Sequence, residues 1–378
     1  MGGLYIHIPF CKCRCIYCDF YSTTCGGQTK DLFTEALCAE LRARNTECSE
    51  SLSSIYIGGG TPSQLTGTQI EKIFRTIRSS YPVAPDAEVT FEANPDDIGF
   101  PLVDTLLELE VNRVSLGVQS FDDRILRFLR RRHTALQAET AVNRLYQSGL
   151  ENISIDLIYG LPGQDTDTWT EDIKKALQLP VSHLSAYSLT YENDTVLWQM
   201  LQNGQIRETD EQLSLGMYEI LLRLTSEAGF EHYEISNFSL PGKSSRHNSS
   251  YWQGIPYIGC GPGAHSFSGR SRRQNTPDLK SYLDNAGSPP HFTETLNEEE
   301  RCNELIFTSL RTRDGLSLKK MSCTFGEKRT TELLELSQRH LQSGRLILEN
   351  DRLRLSRKGI FVSDDIMSDL MFVDERQD

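Results

Sequence analysis

Cys11, Cys13, Cys15 and Cys18 cluster within one short stretch of a 378-residue chain that holds ten cysteines. Three of them have the spacing C-x3-C-x2-C, so thiolates from one short loop can converge on one face. That suits a cubane iron–sulfur cluster, whose usual ligands are cysteine thiolates. Three protein ligands leave one iron open to an exogenous ligand. Other readings compete. A structural zinc site takes four ligands in a tetrahedron, which Cys11 and Cys13 cannot easily share with Cys15 and Cys18 on so short a loop. No second C-x2-C or His pair follows at zinc-ribbon spacing. Cys15-Ile-Tyr-Cys18 could be a dithiol redox pair, but that leaves Cys11 unexplained. Chance buried cysteines are the remaining option.

Further polar residues sit where strands should end. Gly58-Gly59-Gly60-Thr61-Pro62 would let a ligand approach the backbone closely, or would simply make a tight turn. It is not a dinucleotide fingerprint, because G-x-G-x-x-G is absent. Glu92, Gln119, Arg131 and Asp156 lie at or just after strand ends. Alone, each reads as a solvated or capping residue, except Asp156. A carboxylate inside an apolar strand needs a partner or a ligand. Two of the adjacent arginines 130–132 are expected to form a solvated basic face.

The elements that must position these residues alternate. Short apolar runs predict strands over Leu4–Ile8, Ser54–Ile57, Glu88–Phe91, Arg113–Val118, Asn152–Ile158 and His183–Leu189. Helical patterns separate them, over Asp31–Arg44, Thr68–Ser79, Pro101–Leu109, Asp123–Leu129, Leu136–Gln147 and Thr168–Leu179. The runs read as apolar rather than strictly alternating, as in strands buried on both faces. Repeated strand–loop–helix units imply a parallel sheet, here an α/β fold with a partial or full βα barrel. In such barrels the chemistry sits on loops after the strand C-termini. We expect a barrel core over residues 1–200 and a barrel extension over 201–290. Residues 291–378 read as a mostly helical, winged-helix-like module, with a hairpin turning at Asn350-Asp351.

The net charge of −13 argues against nucleic acid as a partner, since phosphate binding needs a basic surface. No run of apolar residues is long enough to span a bilayer. The N-terminus lacks the basic start and long apolar core of a signal peptide. The expected location is therefore cytoplasmic, a reducing compartment where disulfides are rare.

The cysteine loop, with Tyr17 before its last cysteine, resembles the signature of radical S-adenosylmethionine (SAM) enzymes. That resemblance implies a 4Fe-4S cluster on Cys11, Cys15 and Cys18. The SAM methionine group would chelate the open iron, and one electron would cleave SAM to a deoxyadenosyl radical. Tyr5-Ile-His-Ile-Pro-Phe-Cys, Gly-Gly-Gly-Thr-Pro-Ser, Gly-Val-Gln-Ser-Phe and Asp-Leu-Ile-Tyr-Gly-Leu-Pro-Gly-Gln resemble a narrower group, the oxygen-independent coproporphyrinogen III oxidase family. By that resemblance Tyr5, Gly59, Glu92 and Asp156 line the SAM on the cluster. Tyr17, Gly60, Thr61, Gln119 and Arg131 match positions that contact a second SAM. The family pattern has Gly before Arg-x-His-Thr, where this chain has Arg130.

The family has an oxidase branch and a haem-chaperone (HemW-type) branch. The oxidase has a fourth cysteine where this chain has Phe20, and a long extension before the strand at Tyr5. His247-Asn-Ser-Ser-Tyr251-Trp252 matches the H-N-x-x-Y-W string of the chaperone branch. A neutral imidazole can ligate haem iron, and Tyr and Trp rings pack on a porphyrin. The competing reading is a hydrogen-bonded histidine, with Trp252 plugging the barrel bottom. The resemblance thus implies a haem chaperone that binds a 4Fe-4S cluster, SAM and haem. It would deliver haem to recipient haem proteins, respiratory ones included, with an electron donor if SAM turns over and with peripheral membrane contact. The alternatives are coproporphyrinogen oxidation, in which case the chain is an enzyme, and a structural zinc module.

Overall fold

A computed structural model describes residues 2–48 and 50–372. Strands β1 (Gly2–Ile8), β2 (Leu52–Gly59), β3 (Val83–Ala93), β4 (Arg113–Gln119), β5 (Ile153–Tyr159) and β6 (His183–Ser188) lie side by side in chain order, all parallel. Between them run α1 (Gly27–Ala43), α2 (Gly67–Ser80), α3 (Phe100–Glu108), α4 (Asp123–Phe128), α5 (Ala135–Gln147) and α6 (Thr166–Gln178). Local chemistry sets the helix starts. Thr66 and Thr134 each form a capping box with a glutamine three residues on, which satisfies donors that an open helix end leaves unpaired.

The strands mostly alternate apolar and polar residues, with Ile158 an exception, which corrects the expectation of apolar runs without strict alternation. Leu4, Ile6, Ile55, Ile57, Val89, Phe91, Val114, Leu116, Ile155 and Leu157 are buried against the helices. The intervening residues form a polar lumen. Tyr5 packs near Tyr56, Tyr56 bonds Glu92, and Ser115 bonds Asp156. Ordinary βα barrels fill this space with branched apolar side chains. Here the outer face carries most of the apolar packing, and the inner face holds mainly polar groups.

The sheet is an open barrel extended at both edges. Helices α7 (Val196–Gln202) and α8 (Glu211–Glu227) lead to a hairpin, β7 (Glu231–Glu234) and β8 (Asn237–Ser239), antiparallel beyond β6. Trp169 of α6 is fully buried and its Nε1 donates to the Met217 carbonyl at 2.9 Å, tying α6 to α8. After α9 (Arg246–Trp252), β9 (Tyr257–Cys260) pairs parallel with β1. Then β10 (His265–Phe267), β11 (Ser271–Asn275) and β12 (His291–Thr295) continue antiparallel, with α10 (Leu279–Asp284) between the last two. The twelve-strand order is β12-β11-β10-β9-β1-β2-β3-β4-β5-β6-β8-β7, and the two end strands do not pair among the described residues. Residues 201–290 share the barrel core rather than building their own.

The C-terminal module has a separate core around Ile306, Leu310, Leu333, Leu353 and Ile366. Its order is α11 (Glu298–Leu310), β13 (Leu316–Ser317), α12 (Leu318–Gln342), β14 (Leu346–Glu349) and β15 (Arg352–Leu355). Helix α12 breaks at Gly326, whose φ is +86°. Two short helices, α13 (Arg357–Ile360) and α14 (Ser363–Asp369), follow, so the module is mostly helical with one three-stranded sheet that contains the expected hairpin. The wing turns at Asn350 and Asp351, both at positive φ, the geometry that two-residue hairpin loops need. Residues 373–378 of the expected module lie outside the described residues. No described helix is long and apolar enough to cross a membrane.

Candidate functional site

The cysteine loop follows β1 at the C-terminal end of the sheet. Cys11, Cys15 and Cys18 are half-buried free thiols that face one another. Burial, followed by the nearness of Cys15 and Cys11, pushes the Cys18 thiol up to about 11. Cys13 is exposed beside the Arg14 carbonyl, away from the others. Among the described residues no three His, Cys, Asp or Glu side chains are placed to hold a single metal ion.

Backbone crowding shapes the adjoining cradle. Gly59 sits at φ +108°, and a Cβ there would come within 2.7 Å of the His7 ring. A Cβ on Gly60 would stand 2.9 Å from the Phe10 carbonyl and 3.1 Å from the Cys11 sulfur. Only glycine leaves that space open. Thr61 Oγ1 lies 3.5 Å from the same sulfur. Glu92 Oε2 accepts from the Gly59 amide at 3.1 Å and Oε1 from the Tyr56 hydroxyl at 2.6 Å. Burial raises Glu92 to about 7, against the pull of Tyr56.

Arg131 and Gln119 close the opposite side. The Arg131 guanidinium donates to Cys15 Sγ at 3.3 Å, to Asn94 Oδ1 at 2.7 Å and to the Gly117 carbonyl. Tyr17 lies against both Arg131 and Cys15, and burial raises its hydroxyl well above the ordinary tyrosine range. Gln119 is buried at φ +72°, a strained conformation, with its amide folded back against Gly117. Asp172 of α6 secures the next turn by accepting from Ser120 Oγ and the Phe121 amide, both at 2.7 Å. Asp156 stands in the lumen, bonded by Ser115 and Ser185, and burial raises it to about 6.

The three arginines differ from the solvated face expected of two of them. Arg132 pairs with Asp96 at 2.8 Å and Asp97 at 2.9 Å, clamping its loop to the one after β3. Only Arg130 is exposed. It occupies the left-handed region at φ +57°. Its amide bonds the Arg127 carbonyl, and the Arg131 amide bonds that of Leu126. This is a Schellman helix end, the place where glycine is preferred. Arg130→Gly therefore stabilises the fold by about 0.5–1 kcal/mol, after subtracting the extra freedom of glycine in the unfolded chain. Chemical denaturation of the two proteins checks this.

His247, Tyr251 and Trp252 are not brought to this site. Helix α9 caps the N-terminal ends of the strands. Its Arg246 and His247 amides donate to Glu88 at 2.9 Å each. His247 is fully buried; Nδ1 bonds Ser54 Oγ at 2.8 Å and Nε2 the Tyr251 hydroxyl at 2.7 Å. Burial lowers its pKa to about 3, so the ring is neutral. The expectation of a ready haem ligand is thus narrowed: both nitrogens are engaged until Tyr251 moves. Tyr251 and Trp252 line a groove of about 640 Å³ between the barrel edge and the C-terminal module, with Tyr257, Phe325, Arg272 and Arg301. Trp252 Nε1 is buried without a partner among the described residues. A larger crevice, about 860 Å³, lies between α8 and the module and is lined by none of the expected site residues.

Sequence reasoning missed Tyr56, His7, Asn94 and Arg113. Period-two alternation of polar residues along each strand would have found three of them; Asn94 lies on a loop and carries no such signal.

A thiol triad beside a glycine cradle, at the strand ends of an open βα barrel, defines a radical SAM protein. The radical SAM superfamily matches residues 5–176, and the HemN C-terminal domain matches 296–362. The haem chaperone HemW of Lactococcus lactis is 35% identical over 99% of this chain and 98% of its own length. That of Bacillus subtilis is 37% identical, covering 86% and 87%. The mitochondrial radical SAM domain-containing protein 1 of Danio rerio is 30% identical, covering 98% and 87%. The solved coproporphyrinogen III oxidase HemN of Escherichia coli shares the fold at TM-score 0.85 and 21% identity, covering 98% of this chain and 90% of that one. The chain belongs to the HemW family.

A 4Fe-4S cluster and SAM come with the radical SAM family. The residues fit them: three facing thiols, a cradle that any Cβ would fill, and a buried arginine whose Nε has no partner among the described residues. When bound, the cluster supplies single-electron chemistry to SAM. The protein offers three clustered thiols, an open glycine cradle and the buried carboxylate of Glu92 beside it.

Proposed function

We propose that the protein is a haem chaperone whose cargo and cofactor occupy opposite ends of the barrel. Cys11, Cys15 and Cys18 hold the cluster. Tyr5, Gly59, Glu92 and Asp156 line the SAM bound to it, and Tyr17, Gly60, Thr61, Gln119 and Arg131 complete the pocket. Haem lies in the groove against Tyr251 and Trp252. Arg301 meets its carboxylates, Arg272 joins it on leaving its ion pair with Glu304, and His247 becomes a ligand once the Tyr251 hydroxyl swings off Nε2. The observation that carries this reading is the separation. The motif with porphyrin-packing rings faces a groove of small-molecule size and not the cysteine loop. A cargo held there can be passed on without meeting the cluster. Phe20, exposed where an oxidase has its fourth cysteine, supports the same reading. The recipients are haem proteins, respiratory ones among them, reached by peripheral contact at the membrane. An electron donor is required only if SAM turns over. Ten free cysteines support a reducing, cytoplasmic setting.

One observation favours the oxidase alternative. Arg113 is buried in the lumen near Asp156, and its Nε and one terminal nitrogen have no partner among the described residues. A substrate carboxylate would meet such a group.

Titrating the cluster-loaded protein with haem decides between the two. We expect a saturable shift of the haem absorption band, weakened about tenfold in Trp252→Ala, an aromatic loss of roughly 1.4 kcal/mol. No shift, with coproporphyrinogen converted in the presence of SAM and a reductant, would establish the oxidase.

A further inference from the structure

The two ends of the barrel touch through one line of side chains. His247, bridged to Tyr251 at one nitrogen and Ser54 at the other, stacks on Tyr56 with ring centroids 5.1 Å apart and planes 28° apart. The Tyr56 hydroxyl donates to Glu92 at 2.6 Å, and Glu92 accepts from the Gly59 amide of the cradle. Tyr5 runs alongside: its ring stacks 6.5 Å from His247, and its hydroxyl donates to His7, whose ring fills the space under Gly59. The His247 and Tyr56 rings stack and the Tyr56 hydroxyl meets Glu92, so a displacement at His247 reaches the carboxylate through packed atoms.

We propose that Tyr56 is a positioning residue, whose hydroxyl holds Glu92 for the amino group of SAM and whose stack on His247 makes that hold depend on the α9 motif. The first half rests on the SAM site, the second on the haem-chaperone reading.

The electrostatics agree with the geometry. The titratable groups facing Glu92 are Tyr5, Tyr56, Asp156, Tyr187 and Tyr251. The acid among them, Asp156, opposes ionisation, as burial does, while the Tyr56 hydroxyl favours it. Glu92, near 7, is therefore about half ionised at neutral pH. An ionised carboxylate accepts the amino group best. Affinity for SAM should fall about tenfold from pH 8 to pH 6 as Glu92 protonates.

Tyr56→Phe keeps the ring and its stack and removes one oxygen. With the hydroxyl gone, burial and Asp156 dominate, and the pKa of Glu92 rises. SAM titrations of the cluster-loaded, full-length protein by equilibrium dialysis over pH 6–8 read this out. We expect the midpoint to move up by about one pH unit and affinity at pH 7 to fall about fivefold. The amine of SAM titrates alike in both proteins, so their difference reports Glu92. An unchanged midpoint would overturn the positioning role, since loss of packing alone does not move it.

Haem ligation must draw the His247 ring toward the groove and off Tyr56. SAM and haem then oppose one another, and the effect is reciprocal. SAM-saturated protein should bind haem about fivefold more weakly than SAM-free protein, a difference that Tyr56→Phe removes. Equal haem affinities overturn the coupling. Failure of the unaltered protein to bind haem at all would instead sink the haem-chaperone reading, with the Tyr56 pH test still standing.

Discussion

Replacing Cys15 with alanine abolishes the iron–sulfur cluster. After anaerobic reconstitution, iron falls from about four per chain to near zero and the brown absorption band disappears. Three ligands come from one loop, so losing any one leaves two thiolates and an iron with nothing to replace the third. The nearest spare thiol, Cys13, is exposed and turned to the Arg14 carbonyl. Cys11→Ala and Cys18→Ala should behave like Cys15→Ala, and Cys13→Ala should retain full iron. Cys15 is the most informative position, because its sulfur also receives Arg131. That guanidinium then loses one of its acceptors while Asn94 and Gly117 still hold it, so the fold survives. Retention of the cluster in Cys15→Ala, or its loss in Cys13→Ala, would show that the ligand set is wrong. Binding should also require alkaline or well-buffered solution, since metal must displace a proton from the Cys18 thiol, which sits near 11.

The second large effect lies far from the cysteines. Glu40 of α1 is wholly buried. One oxygen accepts from Arg44 at 3.2 Å and Asn275 at 2.7 Å; the other accepts from the Gly261 amide at 2.9 Å and the Tyr282 hydroxyl at 2.7 Å. Arg44 in turn donates to the Gly259 carbonyl at 2.6 Å and Ser266 Oγ at 3.0 Å. Together they pin α1 to β9, β10, β11 and α10, the elements added beside β1. Glu40→Ala leaves a buried guanidinium partly unpaired and the Gly261 amide and Tyr282 hydroxyl without an acceptor, while Asn275 keeps only the Gly261 carbonyl. Removing one partner of a buried pair costs about 3–5 kcal/mol. Urea denaturation should show that loss, with a smaller one for Glu40→Gln, which keeps an acceptor. An effect below about 1 kcal/mol would mean that water replaces the carboxylate and that the network does not hold the barrel edge.

Much of this was legible in the residues. Each of the six parallel strands was placed within a few positions, because Val, Ile and Leu cluster where the outer face packs on helices. The wing was readable from Asn350-Asp351, since few residue pairs tolerate positive φ at both positions. The cysteine loop was readable because its three clustered thiols are local in sequence. The lumen was legible only as period-two alternation within each strand; that Tyr5, Tyr56, Glu92 and Asp156 meet was not, because they belong to four different strands. Strands β9 to β12 were also missed: Ser271-Arg-Arg-Gln-Asn carries no apolar signal, and its pairing is set by neighbours far along the chain. Arg132 looked like part of a solvated face, and only its approach to Asp96 and Asp97 shows the clamp. His247 read as a haem ligand or a hydrogen-bonded histidine, and α9 folds it beneath the strands with both nitrogens engaged.

The account rests on the transfer of haem. The most direct test mixes the haem-loaded, cluster-bearing protein with a haem protein stripped of its haem and follows the acceptor's absorption spectrum. The account predicts that haem moves to the acceptor, that the donor spectrum fades in step, and that Trp252→Ala, loaded at higher haem concentration, releases faster. Haem that stays on the protein in the presence of excess acceptor, or a protein that never takes it up, would contradict it.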